Sequence, residues 1–392
     1  MRRVGQLGWR GVCGGLFLAN LLVTNVVRAA QEDNFILNAS LGVMYDDNLF
    51  RLPEQASAVD GRGDTILTPT ATLGYQQSFS KQQVSLSASA FSPRYQQHDT
   101  LNYHGYRLST GWLGQVGKRW QPSLGYMKSR ELSSYEDVQA GVMDMLSRQR
   151  FEGGLAYGRI GRIRLGADGW LEQKRHGSST YEQLDLDDSG AGVQSEFASR
   201  RGSKVTLRYE SRWIDYQQAA AQVLDYRLDK LRLSLFWPVS AKLEWSAVGG
   251  FMAWHFDGND SSKRSWLGGT KFHWLPSDRW DLDLSYQRDS QDPGYNVRVS
   301  YSDTLALEAG WQLAQKWRLE GRVSQMWSQY GLDDTLGQER KDEALMYRMA
   351  LIWQTTDKIR AESYWTLGKR DSNQANTDYD YQQCGLTFTY SY

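Results

Sequence analysis

Hydrophobic and polar residues alternate along nearly the whole chain after residue 30. Trp280, Leu282, Leu284 and Tyr286 share one phase, with Asp281, Asp283, Ser285 and Gln287 on the other. Successive side chains of a strand point to opposite faces, so this period of two predicts β structure. The same arithmetic sets Ile163, Leu165, Ala167, Gly169 and Leu171 against Arg162, Arg164, Gly166 and Asp168, with Trp170 also on the charged phase. Trp317, Leu319, Gly321 and Val323 oppose Arg318, Glu320 and Arg322; Ile359, Ala361, Ser363, Trp365 and Leu367 oppose Arg360, Glu362, Tyr364 and Thr366. The last run presents Leu386, Phe388, Tyr390 and Tyr392 on one face. No stretch sustains a period of 3.6.

The breaks between these runs have a rhythm. Short polar turns centre near 81, 119, 160, 201, 239, 277, 315 and 356, at spacings of 38 or 41 residues. Each spacing fits one strand up, a longer polar connection and one strand back. The longer connections fall near 46–63, 92–104, 129–142, 172–182, 213–224, 257–264, 288–296, 329–342 and 370–378. Nine long and eight short connections join about eighteen strands, with sixteen as the second choice. That layout predicts an all-β, antiparallel outer-membrane barrel with short periplasmic turns, long outside loops and both ends in the periplasm. Two places disturb the pattern: the apolar phase shifts between Leu228 and Leu231, which suggests a bulge or a short turn, and Trp254 falls on the charged phase unless its strand is bulged.

Composition changes the picture in three ways. No run of eighteen apolar residues exists beyond the N-terminus, which excludes membrane-spanning helices, and a mean hydropathy of -0.60 is compatible with a barrel because apolarity hides on alternate residues. The first residues read as a signal peptide, with Arg2, Arg3 and Arg10, an apolar stretch from Val12 to Val23, and cleavage expected after Ala29. The remainder, 30–392, is expected to be a single barrel domain. The whole chain carries 45 Lys+Arg and 45 Asp+Glu. Removing Arg2, Arg3, Arg10 and Arg28 leaves 41 basic against 45 acidic groups, which argues against a nucleic-acid partner. One cysteine, Cys384, remains, so no intrachain disulfide can form.

A barrel of about eighteen strands is too wide for side chains alone to fill. Charged positions are then hydrated on an inward face, and the expected lumen lining is Arg162, Arg164, Asp168, Trp170, Asp281, Asp283, Arg318, Glu320, Arg322, Arg360, Glu362 and Tyr364. Trp120, Trp237, Trp274, Trp280, Trp311, Trp317 and Trp353 each lie within four residues of a short turn. An amphipathic ring suits the boundary between headgroup and hydrocarbon, so these seven are expected to form a periplasmic girdle.

One stretch near the start is more distinctive: Tyr45, Asp46, Asp47, Asn48, Leu49, Phe50, Arg51, Leu52 and Pro53. The polar residues can cap a turn at a strand end. Alternatively, Leu49, Phe50 and Leu52 can fold inward to narrow a pore, or the carboxylates can hold calcium, although the spacing is not that of an EF-hand. The acidic pairs Asp257 with Asp260 and Asp333 with Asp334 lie in other outside loops and read as solvated turns or shared divalent-ion sites. The stretch 45–53 resembles the EpsL-type outer-membrane proteins associated with bacterial exopolysaccharide biosynthesis and export. That resemblance implies a barrel working beside polymer synthesis, with extracellular polysaccharide, outer-membrane lipid, lipopolysaccharide and a separate periplasmic export protein as partners.

Catalysis finds little footing. Asp281 with Asp283 share a face about 7 Å apart, roughly a glycosidase spacing, and Asp187 adjoins Asp188, yet both lie among many other charges. No nucleophile elbow, zinc helix or phosphate loop occurs, and the five histidines are scattered. No cofactor is expected. The leading expectation is therefore a conduit for an exported polysaccharide, with Trp170 and Tyr364 as shallow stacking contacts. The alternatives are a general diffusion porin or polymer-anchoring barrel and, further behind, an outer-membrane hydrolase.

Overall fold

The computed structural model describes residues 34–53, 61–136, 142–158, 162–218, 225–256, 262–291, 300–331 and 339–392. The expected signal peptide and the acidic pairs at 257–260 and 333–334 lie outside the described residues. The strands are β1 (Phe35–Asp46), β2 (Asp64–Phe79), β3 (Gln82–Phe91), β4 (Arg94–Tyr95), β5 (Gly105–Gly114), β6 (Trp120–Leu132), β7 (Met145–Gly158), β8 (Ile163–Arg175), β9 (Leu186–Ala198) and β10 (Lys204–Tyr216). They continue with β11 (Tyr226–Pro238), β12 (Leu243–Phe256), β13 (Ser262–Ser277), β14 (Trp280–Ser290), β15 (Ser300–Ala314), β16 (Trp317–Tyr330), β17 (Arg340–Gln354), β18 (Ile359–Ser372) and β19 (Tyr379–Ser391).

Every long strand pairs antiparallel with its neighbours in sequence, and β1 pairs with β19 from Asn38 opposite Ser391 to Asp46 opposite Gln383. The two-residue β4 pairs with β2 beyond the end of β3, prolonging that hairpin arm. The barrel thus has eighteen staves and is closed. Closure satisfies backbone donors and acceptors that hydrocarbon would leave unpaired at a free edge. Close to the short turns the ladder is irregular between Trp274 and Ser277 and between Gln312 and Ala314. Two-residue turns close three of these hairpins, at Ser80–Lys81, Asp278–Arg279 and Gln315–Lys316, and in the first Ser80 adopts a left-handed φ of 57°.

The eight short connections fall where the alternation breaks. Most of the long ones are shorter than the sequence suggested, because strands continue into polar segments: β8 reaches Arg175, β10 reaches Tyr216 and β18 reaches Ser372. Cross-strand backbone pairing does not require apolar side chains, so polarity marks the membrane boundary and not the strand end.

The proposed bulge near Leu228 is absent. β11 runs in unbroken register against both neighbours from Tyr226, so Leu228 and Leu231 lie on opposite faces. β12 is likewise regular, and Trp254 points inward. The outward face is apolar and open, with Phe251 69 % and Leu171 64 % exposed. In water each such side chain forfeits about 1.5–3 kcal/mol; in hydrocarbon none does. The chain is an outer-membrane barrel, and β1 begins and β19 ends at the short-turn, periplasmic rim, where Tyr392 N–H donates to Leu37 C=O at 2.9 Å.

Candidate functional site

The stretch 45–53 builds a compact loop at the opposite, extracellular rim. Tyr45 faces outward and is exposed, while Asp46 is buried on the inward side. Asp46 accepts bonds from Asn48 N–H (3.0 Å), Arg51 (3.0 Å) and Gln383 (2.8 Å). Asn48 donates to the carbonyls of Leu52 and Asp380, both at 2.8 Å, and accepts from Leu52 N–H. Asp47 accepts from Gln382 N–H at 2.6 Å. Arg51 takes a left-handed φ of 55°, and its guanidinium lies 3.8 Å from the ring centre of Tyr381. The Pro53 carbonyl accepts from Arg62. The polar residues therefore cap the turn, and the cap aims Leu49 and Phe50 into a buried cluster with Ile66, Leu101 and Tyr135, flanked by Leu52. Both carboxylates of this stretch are engaged by the chain's own donors. No grouping of three or more His, Cys, Asp or Glu able to hold a metal occurs among the described residues.

That cluster draws three outside loops together. Phe50 meets His98 edge-on at 4.9 Å and Tyr135 at 5.0 Å. Beyond Tyr135, the carbonyl of Glu136 accepts a bond from Arg370 on β18 at 3.2 Å. β6, which launches this loop, and β18 are six ladder steps apart by way of β5, β3, β2, β1 and β19. At about 4.8 Å per step that is roughly 29 Å of wall. The loop does not follow that arc through Tyr135 and Glu136; it cuts inward across this third of the mouth.

Two buried carboxylates pin the loop bases. Asp64 accepts from the N–H groups of Thr65, Gln96, Gln97 and His98 and from the His98 ring at 2.9 Å. Asp144 accepts from Gly177 and Ser178 N–H at 3.0 Å, from His176 Nδ1 at 2.6 Å and from Ser133 Oγ. Burial acts to raise the Asp144 carboxyl, but the bonds from His176, Ser133 and Ser178 outweigh it and hold the group below the usual carboxylate range.

Below the mouth, the inward face is a ladder of paired charges. Asp168 holds Arg208 bidentately at 2.6 and 2.7 Å, and Arg164 approaches Glu196 at 4.0 Å. Arg318 joins Asp281 and Glu320, Arg322 meets Glu308 at 3.1 Å, and Arg360 meets Glu362 at 2.7 Å. Asp283 accepts from His273 at 2.9 Å and faces Lys271 at 3.3 Å. Arg162 stands apart, exposed in the turn before β8. Trp170 and Tyr364 lie flat on the wall over Gly190 and Gly385, where a Cβ would collide with the rings. Each ring also carries a guanidinium, Arg150 at 5.1 Å from Trp170 and Arg348 at 4.1 Å from Tyr364, and Trp170 N–H donates to Asp188.

A second inner cluster escaped sequence reasoning: Leu186, Ile214, Tyr216, Tyr226, Leu228, Met252, Trp254, Phe256 and Leu267, all buried. The signal was present as apolar residues on the charged phase of five successive strands, β9 to β13, at the same height. The seven short-turn tryptophans are all exposed on the outer face. Trp280 stacks on Trp311 at 5.0 Å and Trp317 on Trp353 at 5.3 Å; Trp245, Phe272 and Tyr157 extend the same belt through contacts with Trp237 and Trp120.

Several solved structures share this architecture. The outer membrane protein OpdK of Pseudomonas aeruginosa matches with a TM-score of 0.54 at 12 % identity, covering 91 % of this chain and 99 % of that one. The fold is shared with OpdK. OpdK determined with vanillate gives 0.53 at 11 % identity over 92 % and 99 %, and OccAB3 of Acinetobacter baumannii gives 0.51 at 8 % over the same shares. No family model and no curated protein matches the chain. The resemblance to EpsL-type proteins is thereby overturned: the full-length likenesses are to OpdK-type barrels, and residues 45–53 are accounted for as a loop cap. The expectation of a polysaccharide export conduit falls with it. The structure adds a physical reason, since loops narrow one side of the mouth and the rings of Trp170 and Tyr364 already carry guanidinium groups.

Proposed function

We propose that this chain is a passive pore for small hydrated solutes across the outer membrane. The observation that supports the reading is the crossing of one side of the mouth by the Tyr135–Glu136 segment, anchored on Phe50 and Arg370. A mouth narrowed in this way favours small molecules over an extended polymer. The charge ladder suits such traffic, because most of its arginines already hold a carboxylate and a passing solute exchanges weak contacts without being trapped. OpdK has been seen with vanillate, so a small aromatic carboxylate is the first solute to offer. In the same reading, residues 1–29 are a cleaved signal peptide and 30–392 one domain, Asp168, Asp281, Asp283, Arg318, Arg322, Arg360 and Glu362 wall the solute path, and the tryptophan belt meets the inner headgroups.

The test is reconstitution of the mature chain in liposomes and planar bilayers. Swelling with monosaccharides and small carboxylates, together with discrete conductance steps, is expected. Closed liposomes, or passage of long dextrans at the rate of monosaccharides, would reject the small-solute pore.

A further inference from the structure

We propose that the outer wall at β5–β8 carries a binding site for the phosphate of an outer-leaflet lipid, built on Lys128 and Arg130. The outward face of β6 reads Trp120, Pro122, Leu124, Tyr126, Lys128, Arg130, and the register is unbroken against both neighbouring strands. Leu124 is 60 % exposed, Arg130 is exposed and the intervening Ser129 is buried, which sets the cations on the lipid side. From Trp120 to Arg130 the strand climbs ten residues, roughly 25 Å along the membrane normal at a tilt near 40°. That is the height of the apolar band, so Arg130 emerges at the outer headgroups, and Lys128 reaches them by extending its stem.

Four other outward cations at this rim are neutralised by the chain itself: Arg175 by Asp187, Arg227 by Asp229, Arg288 by Asp303 and Lys369 by Asp371. Among the described residues, Lys128 and Arg130 have no acidic partner. Their cross-strand neighbours carry no charge: Tyr106 and Ser147 beside Arg130, and Leu108 and Gln149 beside Lys128. Directly beneath, Tyr126 packs on Phe151 at 4.5 Å and offers an acyl chain a smooth apolar seat. Two uncompensated cations, uncharged neighbours around them and apolar wall below match an anionic headgroup on a lipid tail. A free phosphate would not use the lower half.

The test uses the full mature barrel in phosphatidylcholine vesicles doped with bisphosphorylated lipid A, with retained lipid counted by native mass spectrometry after detergent extraction. Lys128→Ala/Arg130→Ala is expected to weaken retention roughly 30-fold, as two screened cations would. Arg227→Ala/Lys369→Ala, which removes cations already paired within the chain, is expected to retain wild-type levels. A second arm requires no variant: lipid A stripped of phosphate should be lost from the wild-type barrel to the same degree. Equal retention by the double variant, equal loss in the paired-cation control, or indifference to the phosphates would overturn the site.

Discussion

Phe50→Ala separates the loop that crosses one side of the mouth from the barrel that carries it. Phe50 is 4 % exposed and makes two edge-on ring contacts, with His98 and Tyr135. Removing a buried Phe side chain costs about 3–5 kcal/mol, of which each ring pair accounts for about 0.5–1.5 kcal/mol. None of that loss falls on the strand ladder, because every stave pairs through its backbone. The cost falls on docking of the loops, an interaction held otherwise by Leu49, the Asp46–Arg51 pair and the Arg370–Glu136 bond. Heat-modifiable gel migration of the variant should therefore match wild type, while single-channel conductance rises. Limited trypsinolysis supplies an independent reading: Arg51, 8 % exposed in the intact loop, becomes a cleavage site. Unchanged conductance and continued protection of Arg51 in a correctly folded variant would refute the idea that this cluster narrows the mouth.

Leu284→Arg should impair assembly: the residue is 46 % exposed on the outer face and lies roughly 10 Å from the Trp280 level, near mid-membrane, where a cation costs about 2–4 kcal/mol. Asp283→Asn, on the inward face, should assemble normally; equal amounts of folded barrel in outer membranes for both would refute the facing. Gly190→Val should push Trp170 off the wall, costing about 1–3 kcal/mol and lowering conductance, and adding Trp170→Ala should restore the current; a single variant with wild-type conductance contradicts the packing. The Asp144 carboxyl is held below its unfolded value, so its contribution is present above the unfolded pKa and is lost as pH falls through the folded pKa. Hydrogen exchange at Gly177 and Ser178 should accelerate on acidification in that window, and Asp144→Asn should remove the pH dependence; protection that is flat with pH in wild type would show that Asp144 does not hold the loop.

How much of this was legible depends on the range of the interaction. Strand identity, the short turns and the lipid-facing side of β14 follow from a period of two and from polar breaks, both local properties that one strand displays alone. Eighteen staves follow from counting hairpins. The pairings that close or fill the barrel are different, because each joins residues far apart in sequence. Nothing local announces that Glu136 meets Arg370 or that Asp144 anchors His176. The phase conflict at Leu228 and Trp254 was visible, but a strand read singly explains it by a bulge. Only five neighbouring strands, each with an apolar residue turned inward at one height, make it an inner cluster. The motif at 45–53 shows the same limit. Its sequence announced a turn, and the three loops packed around Phe50 decided where that turn points.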